Sequence, residues 1–201
     1  MPDGPTFRLL VGLGNPGGEY SGTRHNVGFM VLDRLAAVLG AAFRADKKWK
    51  ADTAVAGDVF LLKPKTYMNL SGESVGEIAR FYKIEPARVL VILDDMALPL
   101  GRLRFRERGS HGGHNGLRSI LDHLGTQDVP RLRVGIGAAP GADGGSADSA
   151  TGHVLGRFAV DERPLVAQSL DRAVEAVRFA QENDLPSAMN RFNTNTPTTT
   201  L

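Results

Sequence analysis

Short apolar runs that alternate with amphipathic helical segments constrain the fold of this chain more than any other feature. The most strand-like run is VLVIL at 89–93, and runs at 7–14 and 131–137 are similar. Apolar residues at helical spacing lie between and after these runs, over 26–39, 72–83, 115–124 and 161–182. Buried strands that alternate with helices indicate an α/β fold. We therefore expect a single-domain α/β/α sandwich around a mixed, mainly parallel central sheet.

Turn and loop signals supply the remaining elements and the domain limits. Gly57 and Asp58 separate two short strand-like segments over 53–63, which predicts a hairpin. The small-residue stretch 138–150 predicts a loop, and Pro186 opens a short final helix. No repeat or linker interrupts the 201 residues. We expect one domain over 1–192 and a disordered Thr-rich tail over 193–201.

Composition excludes several kinds of site. The chain has no Cys, which rules out disulfides, thiolate nucleophiles and sulfur-ligated zinc. No apolar run approaches the roughly 20 residues of a membrane helix, and the opening MPDGPTFRLL is unlike a signal peptide. These features fit a cytoplasmic protein that binds no membrane. His111 and His114 lack a helical metal-binding spacing, and no acidic residue or Cys accompanies them, so we expect no metal.

The glycines at the end of the first strand admit two interpretations. Gly12, Gly14 and Gly17 spell G-x-G-x-x-G, a pattern typical of dinucleotide-binding folds. In those folds a helix begins at the glycines, whereas here Pro16 predicts an extended loop and the first helix begins near 26. Turn formation explains the glycines equally well. A dinucleotide oxidoreductase is therefore only a third hypothesis.

A histidine and a pair of carboxylates are candidates for general acid–base chemistry. His25 precedes the first helix, where it is either a surface residue beside a helix cap at Thr23 or Asn26, or a general base. A helix N-terminus favours the neutral imidazole, the form that accepts a proton. Asp94 and Asp95 follow the most buried strand, and either could orient an imidazole or cap a turn. We favour Asp94 because it continues the strand directly.

Three asparagines lie beside glycines or at element boundaries, at Asn15, Asn69 and Asn115. Asparagine favours such positions for backbone reasons alone. Ligands of parallel sheets bind at the carboxyl edge of the strands, where these amides would offer neutral donors and acceptors to an ester carbonyl, a ribose or a water. That set of groups suits a hydrolase that uses no metal.

Arginines alternate along the segment 101–108, at Arg102, Arg104, Arg106 and Arg108. A period of two predicts that all four guanidinium groups share one strand face, about 7 Å apart. Such a row suits bidentate contacts to nucleic-acid phosphates, and it is also typical of an edge strand that charge protects from further pairing. Arg131 and Arg133 repeat the pattern on another strand. The net charge is only +2, so this local surplus is what indicates an anionic partner.

Several longer motifs carry a resemblance to a known family. They are VGLGNPG at 11–17, EYSGTRHNVG at 19–28, PKTYMNLSG at 64–72, VILDDMALPLG at 91–101, GSHGGHNGLRSI at 109–120, RLRVGIG at 131–137 and HVLGRF at 153–158. Their order and separations are similar to those of the bacterial-type peptidyl-tRNA hydrolases, and they cover nearly the whole chain apart from the tail. T-R-H-N-x-G and G-x-H-G-G-H-N-G-L are far more specific than the glycine pattern.

The resemblance implies an activity and a set of site residues. The activity is hydrolysis of the ester that joins a peptide to the 3′ ribose of tRNA, by a monomeric cytoplasmic enzyme without metal or cofactor. His25 would activate water and Asp94 would be its orienting partner. The residues that would bind substrate are Asn15, Tyr20, Met68, Asn69, His114 and Asn115. Arg106 and Arg133 would clamp the 5′-phosphate of the tRNA.

A non-catalytic RNA-binding module on the same scaffold is the main alternative. It would keep the arginines and the glycine loops but would need no pairing of His25 with Asp94. The chain also departs from the family pattern at Ala97, a position that is frequently acidic, and at Leu93, where some members have His.

Overall fold

A seven-stranded sheet forms the centre of the protein, whose computed structural model describes residues 6–139 and 147–194. The strands are β1 (Leu9–Gly12), β2 (Arg44–Asp46), β3 (Ala51–Ala56), β4 (Val59–Pro64), β5 (Val89–Asp95), β6 (Leu103–Arg106) and β7 (Arg131–Gly135). The α-helices of the described residues are α1 (Val27–Val38), α2 (Ser71–Phe81), α3 (Asn115–Leu124), α4 (Ala147–Leu155), α5 (Arg163–Glu182) and α6 (Leu185–Phe192).

The strand order is β2-β3-β4-β1-β5-β7-β6, with a parallel centre and antiparallel edges. β4, β1, β5 and β7 run parallel to one another, whereas β2 pairs with β3, β3 with β4 and β6 with β7 in antiparallel fashion. One apolar core packs α1, α5 and α6 on one face, and a second packs α2 and α3 on the other. The predicted α/β/α sandwich with a mixed sheet is confirmed. No helix of the described residues is long and apolar enough to cross a membrane.

The central strand β5 shows why its sequence is apolar throughout. All seven of its residues are buried, because helices cover both faces of the sheet. Leu90 and Ile92 point into the core on the α1 side, and Val91 and Leu93 point into the core on the α3 side. β1 pairs with β5 so that Gly12 stands opposite Ile92, which brings the carboxyl ends of the two strands together.

Two glycines allow α1 to approach the sheet at this edge. A Cβ on Gly28 would lie 2.4 Å from the carbonyl oxygen of Ile92 and 2.4 Å from the amide nitrogen of Leu13, and a Cβ on Gly12 would lie 2.4 Å from the carbonyl oxygen of Gly28. The first α-helix begins only at Val27, after an irregular loop. The glycine pattern therefore serves close backbone packing and does not open a helix as a dinucleotide site requires.

Two elements differ from the sequence prediction. The stretch 138–150, which its small residues predict to be a loop, is helical over its last four residues, because α4 begins at Ala147. Its Ala, Ser and Gly residues give little helical pattern, and tertiary contacts such as His153 Nε2 to the Gly137 carbonyl oxygen (3.0 Å) hold the segment in place. Residues 140–146 lie outside the described residues. The three-residue β2 was missed because its exposed edge position gives no apolar pattern.

The arginine-rich strand is shorter than its alternating sequence predicts. β6 spans only Leu103–Arg106, so the prediction that four guanidinium groups share one face is wrong. Arg102 instead donates to the Asn193 carbonyl oxygen (2.7 Å), and Arg108 lies in the loop beyond the strand. The Asn193 side chain also accepts from the N–H of Phe105 (2.7 Å) and donates to its carbonyl oxygen (3.1 Å), which covers the open edge of β6. The rest of the predicted tail, 195–201, lies outside the described residues.

We expect Gly28→Ala to destabilise the protein by about 3 kcal/mol, the upper end of the usual cost of overpacking, because its Cβ would overlap backbone atoms that cannot move aside. Gly18→Ala is the matched control, since a Cβ at Gly18 meets no atom within 4 Å. Urea unfolding of both variants measures the difference. Equal stabilities would show that α1 does not depend on the close contact at Gly28.

Candidate active site

His25 and Asp94 meet at the carboxyl edge of the sheet. Asp94 belongs to the end of β5, and His25 lies in the single 3₁₀ turn Arg24–Asn26 that leads into α1. His25 Nδ1 is 2.8 Å from Asp94 Oδ1, and their side chains are 12% and 3% exposed. This contact assigns the proton of the neutral imidazole to Nδ1 and leaves the lone pair on Nε2. The geometry is that of a base oriented by a carboxylate.

A second histidine reaches the same carboxylate oxygen from the opposite helical layer. His114 Nε2 lies 3.0 Å from Asp94 Oδ1, and the rings of His25 and His114 are 5.0 Å apart. His114 is also the N-cap of α3, where its Nδ1 accepts the N–H of Leu117 (3.3 Å). We therefore assign the proton of its neutral ring to Nε2, which donates to Asp94. His114 thus fixes the carboxylate from the side that His25 does not occupy.

Asp94 is held ionised in spite of its burial. Burial by itself would raise the pKa of its carboxyl, but the interactions with His114 and then with His25 outweigh burial and place the pKa well below its usual value. The carboxylate therefore remains charged throughout the range in which an imidazole titrates. Any change in activity over that range then reports a group other than Asp94.

Asn26 is a site residue that the sequence analysis missed. We considered it only as a helix cap, but its side chain makes no capping hydrogen bond. Its Oδ1 accepts the N–H of Asn15 (2.9 Å) and its Nδ2 donates to the carbonyl oxygen of Asn15 (2.9 Å). Asn15 Oδ1 in turn accepts the N–H of Met68 (2.8 Å), which leaves the Asn15 amide nitrogen as the group that can face a substrate. In the sequence, only the position of Asn26 directly after His25 indicates that it belongs to the site.

The turn that carries His25 is tied to the chain before α5. Arg24 is buried, and it pairs with Glu162 through Nη2 and Oε2 (2.7 Å). Its guanidinium also lies 4.7 Å from the ring centre of Phe158, and its backbone N–H donates to the Gly156 carbonyl oxygen (2.9 Å). The hydrogen bond from Arg24 lowers the pKa of Glu162. Arg24 therefore anchors the turn to the segment 156–162.

The neighbouring carboxylate of Asp95 points to the other face of the sheet, as strand alternation requires. Its Oδ2 lies 2.8 Å from Nε of Arg133, and its Oδ1 accepts the N–H of Ala97 (2.9 Å). Of the two candidates, Asp94 is the one in contact with His25.

A cleft of about 640 Å³ opens beside this group. The predicted site residues that line it are His25, Asp94, Arg106, His114, Asn115 and Arg133. Asn15, Tyr20, Met68 and Asn69 are not part of its lining within the described residues. Met68 is nevertheless close, because its Sδ lies 2.5 Å from where a Cβ on Gly116 would stand. Asn69 is exposed on the 3₁₀ turn Met68–Leu70, and Tyr20 is half-buried in the turn Gly18–Tyr20.

Comparison with known proteins identifies the family. A family model described as peptidyl-tRNA hydrolase matches residues 9–200. The chain belongs to the peptidyl-tRNA hydrolase family. The peptidyl-tRNA hydrolase of Akkermansia muciniphila is 49% identical over 186 residues, which cover 92% of this chain and 95% of that protein. The one from Synechococcus elongatus is 50% identical over 196 residues, which cover 95% and 93%.

A solved structure supports the same family. The crystal structure of peptidyl-tRNA hydrolase from Acinetobacter baumannii has a TM-score of 0.87 at 39% identity, and the match covers 96% of this chain and 98% of that one. The protein is accordingly a hydrolase of the peptidyl-tRNA hydrolase family, and its activity releases tRNA from peptidyl-tRNA.

Three potential metal ligands stand together in this site, because His25, Asp94 and His114 offer atoms that lie within 4.8 Å of one another. The sequence alone showed no acid near the histidines, and the fold supplies one. The hydrogen bonds argue for a different use of these atoms. Both ring nitrogens that face Asp94 carry protons in the assignment above, whereas a metal requires their lone pairs.

We expect Asn26→Asp to lower kcat/KM by about tenfold to a hundredfold, because the new carboxylate loses the donor to Asn15 and repels its carbonyl oxygen. Asn183→Asp is the control, since Asn183 Nδ2 makes a comparable bond to the carbonyl oxygen of Phe179 at an exposed position. Steady-state assays of both variants, with thermal unfolding to confirm folding, measure the effect. Unchanged kcat/KM in folded Asn26→Asp would mean that the contact to Asn15 does not position the site.

Proposed function

We propose that His25 is the general base for hydrolysis of the ester in peptidyl-tRNA. The observation that carries this proposal is the hydrogen bond of 2.8 Å from His25 Nδ1 to buried Asp94, which leaves Nε2 free in a ring that lines the cleft. Nε2 takes a proton from water as the water oxygen attacks the ester carbonyl carbon. The ionised Asp94 stabilises the imidazolium that forms. A non-catalytic RNA-binding module would have no use for this pair.

The same imidazolium completes the reaction. The tetrahedral intermediate collapses, the bond from the carbonyl carbon to the ribose 3′ oxygen breaks, and His25 returns its proton to that oxygen. The products are a tRNA with a free 3′ hydroxyl and a peptide with a free carboxylic acid, which then loses its proton to solvent as a carboxylate. One base suffices because the ribose oxygen of an aminoacyl ester is a good leaving group.

Neutral amides supply the contacts to the substrate. Asn115 is the first residue of α3 and lines the cleft, where its amide and the positive end of the helix dipole can polarise the ester carbonyl. Asn15 presents its amide nitrogen as a donor, while its oxygen accepts the N–H of Met68. Tyr20, Met68, Asn69 and His114 complete the binding of the 3′-terminal nucleotide and the peptide.

Arg106 and Arg133 form the clamp for the 5′-phosphate of the tRNA. Both line the cleft, and Arg106 is exposed on the edge strand β6. The enzyme works as a monomer in the cytoplasm without metal or cofactor.

His25→Ala should lower single-turnover ester hydrolysis by at least about a thousandfold while tRNA binding changes little, because the base acts in the chemical step. His111→Ala is the matched control, since His111 lines the same cleft and its Nδ1 accepts from Gly113. The assay contains EDTA, in which the wild-type rate should persist. Retained turnover in His25→Ala would remove His25 as the base, and a rate abolished by EDTA would show that a metal takes part.

Asp94→Asn should lower kcat and move the acidic limb of the pH–rate profile to lower pH, because the imidazolium of His25 loses its anionic partner. The low pKa of the Asp94 carboxyl keeps it from titrating in that range in the wild type. Asp95→Asn is the control and should leave the acidic limb in place. The reverse pattern would make Asp95 the orienting carboxylate.

Arg106→Ala and Arg133→Ala should each raise KM for intact peptidyl-tRNA more than they lower kcat, because phosphate contacts are equal in the ground and transition states. A short substrate with only the 3′-terminal nucleotide and its peptide does not reach the clamp, so its kcat/KM should hardly change. Each variant should also reduce the salt dependence of tRNA binding. Equal losses on both substrates would mean that the arginines only maintain the structure of the site.

A further inference from the structure

Three arginines crowd one end of the cleft, and we call Arg106, Arg131 and Arg133 the arginine cluster. Arg131 and Arg133 share one face of β7, and Arg106 stands opposite Arg131 on β6. Arg131 is only 2% exposed. Its Nη2 donates to the Gly109 carbonyl oxygen (2.9 Å), and its Nε has no partner among the described residues. Burial, and then repulsion from Arg133 and Arg106, lower the pKa of Arg131 to about 10.

Asp95 is the acidic partner of this cluster. Its side chain is 7% exposed, and its Oδ2 lies 2.8 Å from Arg133 Nε. No N–H of the described residues points straight at this oxygen, so charge holds the pair more than an aligned hydrogen bond does. Within residues 6–139 and 147–194, the three cations of the cluster thus have one carboxylate in ion-pair contact with them. The cluster keeps a surplus of positive charge, and Asp95 cancels part of it.

We propose that Asp95 is an internal counter-ion that limits the affinity of the arginine cluster for phosphate, so that the product tRNA can leave. The proposal rests on the clamp role proposed above for Arg106 and Arg133. A phosphate that approaches Arg133 meets a guanidinium already paired with a carboxylate, and it is repelled by that carboxylate at close range. Asp95 therefore weakens the contact without touching the reacting ester.

The reaction explains why a weaker phosphate contact is useful. The 5′-phosphate is unchanged by hydrolysis of an ester at the 3′ end, so substrate and product make this contact equally well. Binding energy of this uniform kind does not accelerate the chemical step, and beyond what is needed to recruit substrate it only retains the product. A fixed carboxylate beside Arg133 limits the binding energy of the phosphate contact. The same carboxylate balances the arginine charges when no tRNA is bound.

The test measures binding of deacylated tRNA to Asp95→Asn. Asparagine removes the charge but keeps an oxygen for the N–H of Ala97. We expect tRNA with a 5′-phosphate to bind about tenfold more tightly than to the wild type, and tRNA with a 5′-hydroxyl to change by less than about twofold. Steady-state assays should show a lower KM for peptidyl-tRNA together with stronger inhibition by deacylated tRNA.

Arg133→Gln and the double variant with Asp95→Asn provide the controls, because the gain in affinity should vanish when Arg133 is absent. Weaker binding to Asp95→Asn, equal tightening for both tRNAs, or a gain that persists without Arg133 would each overturn the proposal. If the wild type fails to distinguish the two tRNAs, the clamp and this proposal both fall. The esterase role of His25 is then still decided by its own variant.

A second neutral variant keeps the test decisive if Asp95→Asn does not fold. Asp95→Ser also removes the charge and keeps a side-chain oxygen near the N–H of Ala97. Thermal unfolding of both variants identifies those that fold. Both neutral variants must tighten binding of the 5′-phosphorylated tRNA, and a folded variant that does not do so contradicts the proposal.

Discussion

The hydrogen bonds of two histidines to the buried carboxylate of Asp94 are the interaction on which the rest of the site depends. Removing a carboxylate from water costs on the order of several kcal/mol, and the protein offsets this cost with two donors on one oxygen. One donor, His25, comes from the layer of α1, and the other, His114, caps α3 in the opposite layer. The charge of Asp94 therefore links both helical layers at the carboxyl edge of the sheet, and loss of either histidine would leave it poorly compensated.

Close backbone packing allows this linkage to form. His25 can reach Asp94 only if the start of α1 lies directly against β1 and β5, and the contact of Gly28 with Ile92 and Leu13 provides that approach. Arg24 secures the same turn through its ion pair with Glu162. Gly12 and Gly28 thus contribute by lacking a Cβ, because each leaves space for a neighbouring backbone segment to pack closely.

The sequence predicts the fold well because the fold depends on local patterns. Apolar runs and helical spacing are sufficient to predict the sandwich, and position in the chain is sufficient to favour Asp94 over Asp95. Asn26 was beyond such reasoning, because its partner Asn15 is eleven residues away and a helix start offers the simpler cap interpretation. The position of Arg102 was beyond such reasoning for a related reason. Alternation predicts a strand face, but it does not predict that the guanidinium donates to the carbonyl oxygen of Asn193, which lies outside the sheet. The start of α4 also depends on contacts that composition does not encode.

Strand alternation divides the chemistry of the cleft between two adjacent carboxylates. Asp94 and Asp95 are consecutive on β5, so their side chains point to opposite faces, one toward His25 and one toward Arg133. A shift of β5 by one residue would exchange them, and it would also move Leu90 and Ile92 out of their core. The same apolar register that builds the two cores therefore assigns one carboxylate to the imidazole and the other to the guanidinium. Core packing and the separation of the His25–Asp94 pair from the arginine cluster have a single physical origin.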